Sequence, residues 1–538
     1  MHAIKHSLIV KTTTIIVVLG SVSWASTQYV NQGQSIQSVL DTARPGDTVI
    51  VRDGIYRETV TFKNSGTAGN PIQLQADSNA HVVIDGGEPI MGWQACTSDD
   101  ADLMVLGEIN PFWQNIYWAL IETEKLPTDP TRAVIFEDRN RCRIARTPDQ
   151  TNNWGVDVEE FLFLEEEAWN HSDGSEKSPD PDAIPTSQNT VGVYSYIIDS
   201  DFLTQPEDYW NGAIIELFSH AMNNNLVRRT AADYIKQEHK LVFDQLLDYK
   251  IWYGSKPDSY SLLNHPHTLD SAGEFLIMPE SGTHYKIYLW PTNPHNLSDA
   301  VSLAVRTNGI QAFQENYLVI DGFEVRSCRS EGILMKGRND EHSQGITVRN
   351  CSVFDTGGTA IYLIWTDNSS IEGCTVDHSE GRGAFINGGK NGLIKDCLIS
   401  NTASTNMSFY GMDHGLMIGN TVTGCIGAHG NGSSCYIDCK NILLANNTYI
   451  NSNMAFNNLT NIVVYNNLFY GETTHNWSIT PWSSWYDGYQ VYMHNTVLGV
   501  MLLNPGQEQY WSTYYPAYYL MNNICCSGML SWEGEYIA

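Results

Sequence analysis

Basic residues are scarce: 30 Lys and Arg stand against 60 Asp and Glu in 538 residues, a formal net charge of −30. Long-range repulsion makes nucleic acid and anionic lipid poor partners for such a chain. The same balance works against a sulfated or uronate polymer unless a local basic patch lines the groove that takes it. A membrane span is missing too, because past residue 25 no stretch stays apolar for 18 residues. No Cys follows the small-x-small motif Ser23-Trp-Ala25, which argues against a lipid anchor. Zinc spacing is also lacking, since Cys435 with Cys439 and Cys525 with Cys526 do not form the two close pairs a structural zinc needs. Neither a sorting segment nor a long repetitive array is present, and both are usual in an adhesin.

What is present begins with an export signal. Lys5 and Lys11 precede the apolar core Thr14-Ile-Ile-Val-Val-Leu-Gly20, so residues 1–25 read as a cleavable leader, too short to span a bilayer. The expected location is outside the cytoplasm.

One position then recurs every 20–28 residues: Cys351, Cys374, Cys397, Asn420, Asn447, Asn467, Asn495, Asn523. Short β-type runs such as Gly345-Ile-Thr-Val-Arg-Asn350 precede it, broken by Gly, Asn, Asp and Ser. This period with this composition predicts a parallel β-helix, an all-β solenoid whose coils stack. Asn at the recurring position is expected to occupy a left-handed bend and to bond the coils above and below. Stacked coils lie about 4.8 Å apart, so one pair of Cys351, Cys374 and Cys397 can bridge but three cannot, and buried thiols are the expectation.

Before the coils, Ser35 to Ala43 places Ile36, Val39, Leu40 and Ala43 on one helical face, ended by Arg44-Pro-Gly46. This short helix is expected to cover the open end of the solenoid. The strand-like runs to Val82-Val-Ile-Asp-Gly86 follow. The stretch with Pro45-Gly-Asp47, Gly54-Ile-Tyr56, Gly66-Thr-Ala-Gly-Asn-Pro-Ile72 and Ile84-Asp-Gly86 resembles the first coils of secreted right-handed parallel β-helix enzymes, among them the chondroitinase B and alginate lyase family. The resemblance implies a pectin lyase-like fold and an extracellular role on carbohydrate, with ligands lying along the first sheet.

The reading divides the chain into the leader at 1–25, a capping helix and first coils at 26–94, a β-rich insertion at 95–310, and the main helix at 311–538. The insertion is richer in Trp, Pro and charge. Its Leu269-Asp-Ser-Ala-Gly-Glu-Phe-Leu276 and Tyr285-Lys-Ile-Tyr-Leu-Trp-Pro291 are similar to segments of β-helix glycoside hydrolases, which implies a wall at the substrate end. Matching Gly-Phe-Glu-Val at 322–325 to Asn-Cys-Ser-Val at 350–353 makes Phe323, not Cys328, the first rung of the ladder. Ser531 to Ala538 shows no obvious terminal cap.

First-sheet strands are expected at Gly332–Gly337, Ala360–Trp365, Gly383–Gly388, Asn406–Gly411 and Ser434–Cys439. Alternation turns Ile361, Leu363, Ala384, Ile386, Met407, Phe409, Cys435 and Ile437 inward. Two outward columns remain, Leu334, Tyr362, Phe385, Ser408, Tyr436 and Lys336, Ile364, Asn387, Tyr410, Asp438. The turn beyond them gives a third, Asp367, Lys390, Asp413, Asn441.

Chemistry is expected in these columns. Equivalent carboxylates lie about 5 Å apart on adjacent coils and about 10 Å apart when one coil is skipped, against roughly 5–5.5 Å for retaining and 6.5–9.5 Å for inverting glycosidases. Asp413 with Asp438, or Asp367 with Asp413, can therefore serve as acid and base, although Asp at such turns also satisfies turn amides. Hydrolysis of a glycosidic bond needs no cofactor. Elimination from a uronate is the alternative, with Lys390, Lys336 or Arg382 beside the developing charge and Ca²⁺ held by Asp367 and Asp413. His429, in the Gly-rich loop Ala428-His-Gly-Asn-Gly-Ser433 of the one stretched coil, is a further acid candidate. Tyr362, Trp365, Phe385, Tyr410 and Tyr436 form a candidate sugar floor with Arg382, Asn387 and His414 as polar contacts. A binding protein that uses the same groove without catalysis is the third reading.

Overall fold

The computed structural model describes residues 25–150, 161–163, 166–171, 176–177, 191–219, 225–250, 259–425, 431–456, 459–470, 478–481, 487–497, 502–503 and 517–525. The leader, His429, Cys526 and Ser531 to Ala538 lie outside these residues. Among the described residues no helix is long and apolar enough to cross a membrane.

Each coil contributes one strand to each of three parallel stacks. The first runs from Val60–Phe62 through Ile310–Phe313, Ile333–Lys336 and Ile361–Ile364 to Asn431–Tyr436 and beyond. The second runs from Thr27–Val30 through Ile72–Ala76, Leu318–Asp321 and Ile346–Arg349 to Ala517–Met521. The third runs from Gly54–Tyr56 through Glu324–Arg326 and Ser352–Thr356 to Ile524–Cys525. Ala384–Lys395 and Thr405–Ile418 turn the corner between the first two stacks without a break.

A single apolar core fills the helix from Val30 to Val497, built from the inward residue of each alternation. Ile361, Ala384 and Met407 stack in register and are fully buried, as are Leu363, Ile386, Phe409 and Cys435. Burial of each large apolar side chain stabilises the fold by roughly 1.5–3 kcal/mol. At the amino end the helix Ile36–Leu40 packs Ile36 and Leu40 into this core, and Ser35 Oγ accepts from Ser38 N at 3.2 Å. Glu58 also accepts from Ile36 N, at 2.7 Å.

The ladder position differs from expectation by one residue. Its members are buried, Phe323 aligns with Cys351 through the Glu324 to Ser352 register, and Asn420, Asn447, Asn467 and Asn495 are at most 1% exposed. The left-handed residue is the one before: Asn350, Asp396, Asn446, Asn466, His494 and Asn522 all have φ between 51° and 57°. The ladder amides face inward and link coils, since Asn420 Nδ2 donates to Asn447 Oδ1 at 2.9 Å and Asn447 Nδ2 to Asn467 Oδ1 at 2.9 Å. The series continues through Asn495 to Asn523. Where the rung is Cys, the thiols are free and buried, and Cys374 Sγ donates to Glu372 O at 3.4 Å.

After Val82–Asp85 the chain leaves the coil and returns at Ile310–Phe313. Between them lie a five-stranded sheet that pairs Arg143–Ile144 with Glu274–Ser281, a four-stranded sheet around Ile135–Glu137, and a nine-stranded sheet. The four-stranded sheet is where the insertion meets the helix: a Cβ on Gly357 would sit 3.6 Å from Val134.

Candidate functional site

The outward face of the first sheet is a row of rings. Tyr362 and Phe385 stack with centroids 4.7 Å apart and planes 9° from parallel, Tyr410 meets Phe385 edge-on at 4.9 Å, and Tyr436 lies 5.5 Å from Tyr410. Arg382 lies over Phe385 and Tyr410, 4.5 and 4.7 Å from their centroids, and Asn387 Nδ2 donates to the Tyr362 hydroxyl at 2.9 Å. Phe385 is buried beneath its neighbours, while Tyr362, Asn387, Tyr410 and Tyr436 are half-buried with surface to offer. Arg382 Nε is buried without a partner. Burial raises the Tyr410 hydroxyl above its ordinary value despite Arg382, so it carries its proton at neutral pH.

The floor continues into an open hollow of about 440 Å³ lined by Phe313, Lys336, Arg338, Asp340 and Trp365. Lys336 Nζ stands 5.8 Å from the Trp365 ring. Gly388, at φ +75°, leaves room for that indole, because a Cβ there would meet Trp365 Cδ1 at 2.7 Å. In the described register the two outward columns are Gln311, Leu334, Tyr362, Phe385, Ser408, Ser434 and Phe313, Lys336, Ile364, Asn387, Tyr410, Tyr436. Neither column holds a carboxylate, and Lys336 is its one charged member.

Two expected positions therefore move. Ser434, not Tyr436, opposes Ser408, and Tyr436, not Asp438, opposes Tyr410. Asp438 falls on the corner with Ile437, both exposed and left-handed at φ 58° and 60°, so Ile437 is not a core residue. The cause is an extra residue at that corner: two residues separate Tyr410 from Asp413, and three separate Tyr436 from Lys440, their register partners.

The turn row is a separate group at the edge of the second sheet. Lys390 opposes Asp413, Lys440 rather than Asn441 comes next, and the Lys390 backbone N–H donates to Asp367 Oδ1 at 2.9 Å. His342 Nδ1 and Gln344 Nε2 also bond Asp367, at 2.9 and 3.0 Å. Burial alone would raise this carboxyl, but those three donors hold it below the usual range. Asp413 is bonded by Asn441 at 3.0 Å and His414 at 2.8 Å. Asn368, Asn391, His414, Asn441 and Asn461 form a second left-handed row, φ 52–62°. His414 thus stands in a bend row, with Lys390 exposed beside it. Lys390 lies between Asp367 and Asp413, so the register does not bring these two carboxylates together.

A pair that the sequence reading passed over stands where the third stack turns back to the first. Asp355 is 6% exposed and left-handed, in one row with Ser327, His378 and Asn401. Burial pushes its carboxyl up to about 7, against the pull of His378 and Arg139. Asp377, on the next coil, would also be raised by burial, but His378, Ser400 and Asn401 bring it down to about 2. Ser400 Oγ donates to it at 2.6 Å and Asn401 Nδ2 at 2.8 Å. Glu380, paired with Arg141 of the insertion, lies between this pair and Arg382 along the chain. Counting four residues past each ladder rung, Cys351 to Asp355 and Cys374 to His378, finds the row in the sequence.

Three coil stacks, inward amide rungs and an exposed first-sheet face define a right-handed parallel β-helix. Comparison agrees: the right handed beta helix region model matches residues 286–425 and 332–497, and the chondroitinase B model matches residues 30–91. Among curated proteins, an uncharacterized protein of Bacillus subtilis (strain 168), YwoF, is 40% identical over 53 residues, 10% of this chain and 11% of that one. The match thus spans about a tenth of that relative. A solved structure titled glycoside hydrolase superposes with a TM-score of 0.56 at 12% identity, covering 93% of this chain and 97% of its own. A complex of XylC with xylose gives 0.43 at 12% identity, covering 92% and 69%.

Proposed function

We propose that this chain is a secreted enzyme that cleaves glycosidic bonds in a polysaccharide, by hydrolysis, with the saccharide laid along the outward face of the first sheet. The observation that carries the reading is the floor of Tyr362, Phe385, Tyr410 and Tyr436 under Arg382, continuous with the Trp365 hollow. Sugar rings present an apolar face to aromatic rings and hydroxyls to polar neighbours, and this row offers both. Arg382, with a free Nε, and Asn387 orient the hydroxyls.

Hydrolysis needs one carboxyl that keeps its proton and one that does not. Asp355 and Asp377 meet that requirement, pushed apart to about 7 and about 2. In this reading Asp355, at the end of the strand that leads by a turn into the floor strand Ile361–Ile364, is the acid candidate, and ionised Asp377 is the base candidate. Asp367 and Asp413, tied up by their donors, act as turn ligands in this reading. One observation favours elimination as a second reading: the charges set against the floor's rings, Arg382 over Phe385 and Tyr410 and Lys336 beside Trp365, are both positive in a chain of net charge −30. A carboxylate-bearing sugar suits them.

Incubation with a panel of neutral and uronate-containing polysaccharides tests this. New reducing ends without the ultraviolet absorbance of an unsaturated uronate support hydrolysis, and that absorbance would support elimination. Binding without any product would make this a non-catalytic binding protein.

A further inference from the structure

The insertion holds a second polar site that the saccharide reading does not use. Arg143 pairs in parallel with Glu274, which sets the segment ending in Asp149 beside the turn from Leu269 to Gly273. Carboxylate oxygens of Asp149, Asp270 and Glu274 come within 4.8 Å of one another. Asp149 and Glu274 border a cavity of about 220 Å³ whose wall includes Arg143, Gln150 and Ser271.

Glu274 is the unusual member. It is 3% exposed, its Oε2 accepts from the Ser271 and Asp270 backbone N–H groups at 3.2 and 3.3 Å, and its Oε1 has no partner. A buried carboxylate oxygen with nothing to accept from has lost its hydration without a hydrogen bond to replace it. Two further carboxylates face it, one held in place by Ser271 Oγ at 3.0 Å from Asp149 Oδ2. Asp149 and Asp270 crowd further negative charge around this unpaired oxygen. Either a proton or a cation relieves it.

We propose that Asp149, Asp270 and Glu274 bind a calcium ion that fastens the Leu269 to Gly273 turn to the Asp149 segment of the insertion. Every donor is a hard oxygen, with neither His nor Cys in the group, which suits Ca²⁺ or Mg²⁺ and not zinc. Oxygens on opposite sides of Ca²⁺, at roughly 2.3–2.6 Å each, stand roughly 4.6–5.2 Å apart, while those of Mg²⁺ at roughly 2.0–2.1 Å stand about 4.1 Å apart. Donor oxygens no more than 4.8 Å from one another can all reach a single ion of calcium's size. At about 30 Å³ per water the cavity also has room for the several waters that complete six to eight ligands.

Calorimetric titration of the chelator-treated full-length protein with CaCl₂ and with MgCl₂, beside thermal melting in each salt, is the test. One site with a dissociation constant of roughly 10⁻⁵–10⁻³ M for calcium, at least tenfold weaker magnesium binding, and a calcium-dependent rise in melting temperature are expected. Asp149→Asn, an exposed substitution that leaves the strands intact, and Glu274→Gln should each abolish both signals. No calcium heat in the parent protein at millimolar concentration, or calcium binding that survives both substitutions, would overturn the assignment. If both substitutions raise the melting temperature equally with and without calcium, the site holds a proton and the proposal fails.

Discussion

Arg382 Nη2 donates to the Tyr410 hydroxyl one coil further on, at 2.5 Å, while its guanidinium lies over the Tyr410 ring itself. One side chain thus fixes the edge and the face of the same ring. Tyr410→Phe keeps the stacking surface but leaves a second guanidinium nitrogen without an acceptor. After solvent screening the loss should appear as about 1–2 kcal/mol in denaturant unfolding. Arg382→Lys should do no better, because an ammonium cannot stack on both rings and still reach the hydroxyl.

The acid assigned to Asp355 has a signature in pH. Its folded value of about 7 exceeds the unfolded value near 4, so the stability it contributes is full below about 4 and is lost as pH climbs to about 7. Asp377 has the opposite sign, with stability present above about 4 and lost as pH falls toward about 2. Thermal midpoints recorded from pH 4 to 8 should fall less steeply in Asp355→Asn than in the parent. In the parent, kcat/KM should decline as pH rises through about 7 as the acid loses its proton, and Asp355→Asn should abolish turnover while leaving oligosaccharide binding within a few-fold.

Asn467→Ala removes an amide that accepts from the Asn447 backbone and side chain and donates to Leu444 O. Buried donors left without acceptors, plus a cavity, should cost roughly 2–5 kcal/mol in denaturant unfolding. Asn466→Gly, one residue earlier, should cost far less, since Gly373 and Gly419 already occupy that left-handed row.

Cys351, Cys374 and Cys397 stand as reduced thiols at 1–3% exposure. An aqueous thiol reagent followed by peptide mapping should leave all three unlabelled in the native protein. Labelling should appear only as denaturant opens the coils, at the rate of unfolding.

The coil count, the Phe323 alignment and the inward columns as far as Cys435 were legible because burial repeats every second residue and the ladder supplies a fixed origin. Two things escaped the count. The left-handed residue was placed on the rung and not before it, because Asn suits both roles and only the φ angles separate them. The stretched coil between Asn420 and Asn447 hides an extra residue at Ile437 and Asp438, which displaced Tyr436 and Asp438 from their expected columns. Asp355 was missed for a different reason: its carboxyl is unusual only through its burial in the folded chain. The floor, by contrast, needed nothing beyond parity, which is why Tyr362, Phe385, Asn387 and Tyr410 fell together.

The ladder also bears on how such a chain can change length. Every amide rung from Asn420 to Asn495 presents the same acceptor to the coil before it and the same donors to the coil after it. A coil copied within that stretch finds ready-made partners on both sides, so duplication there is chemically silent. The junction between Cys397 and Asn420 is not interchangeable in this way, because the Cys397 N–H relies on Asn420 Oδ1 while its thiol points to Lys395 O. Relatives that differ in length should therefore gain or lose coils on the asparagine side of that seam.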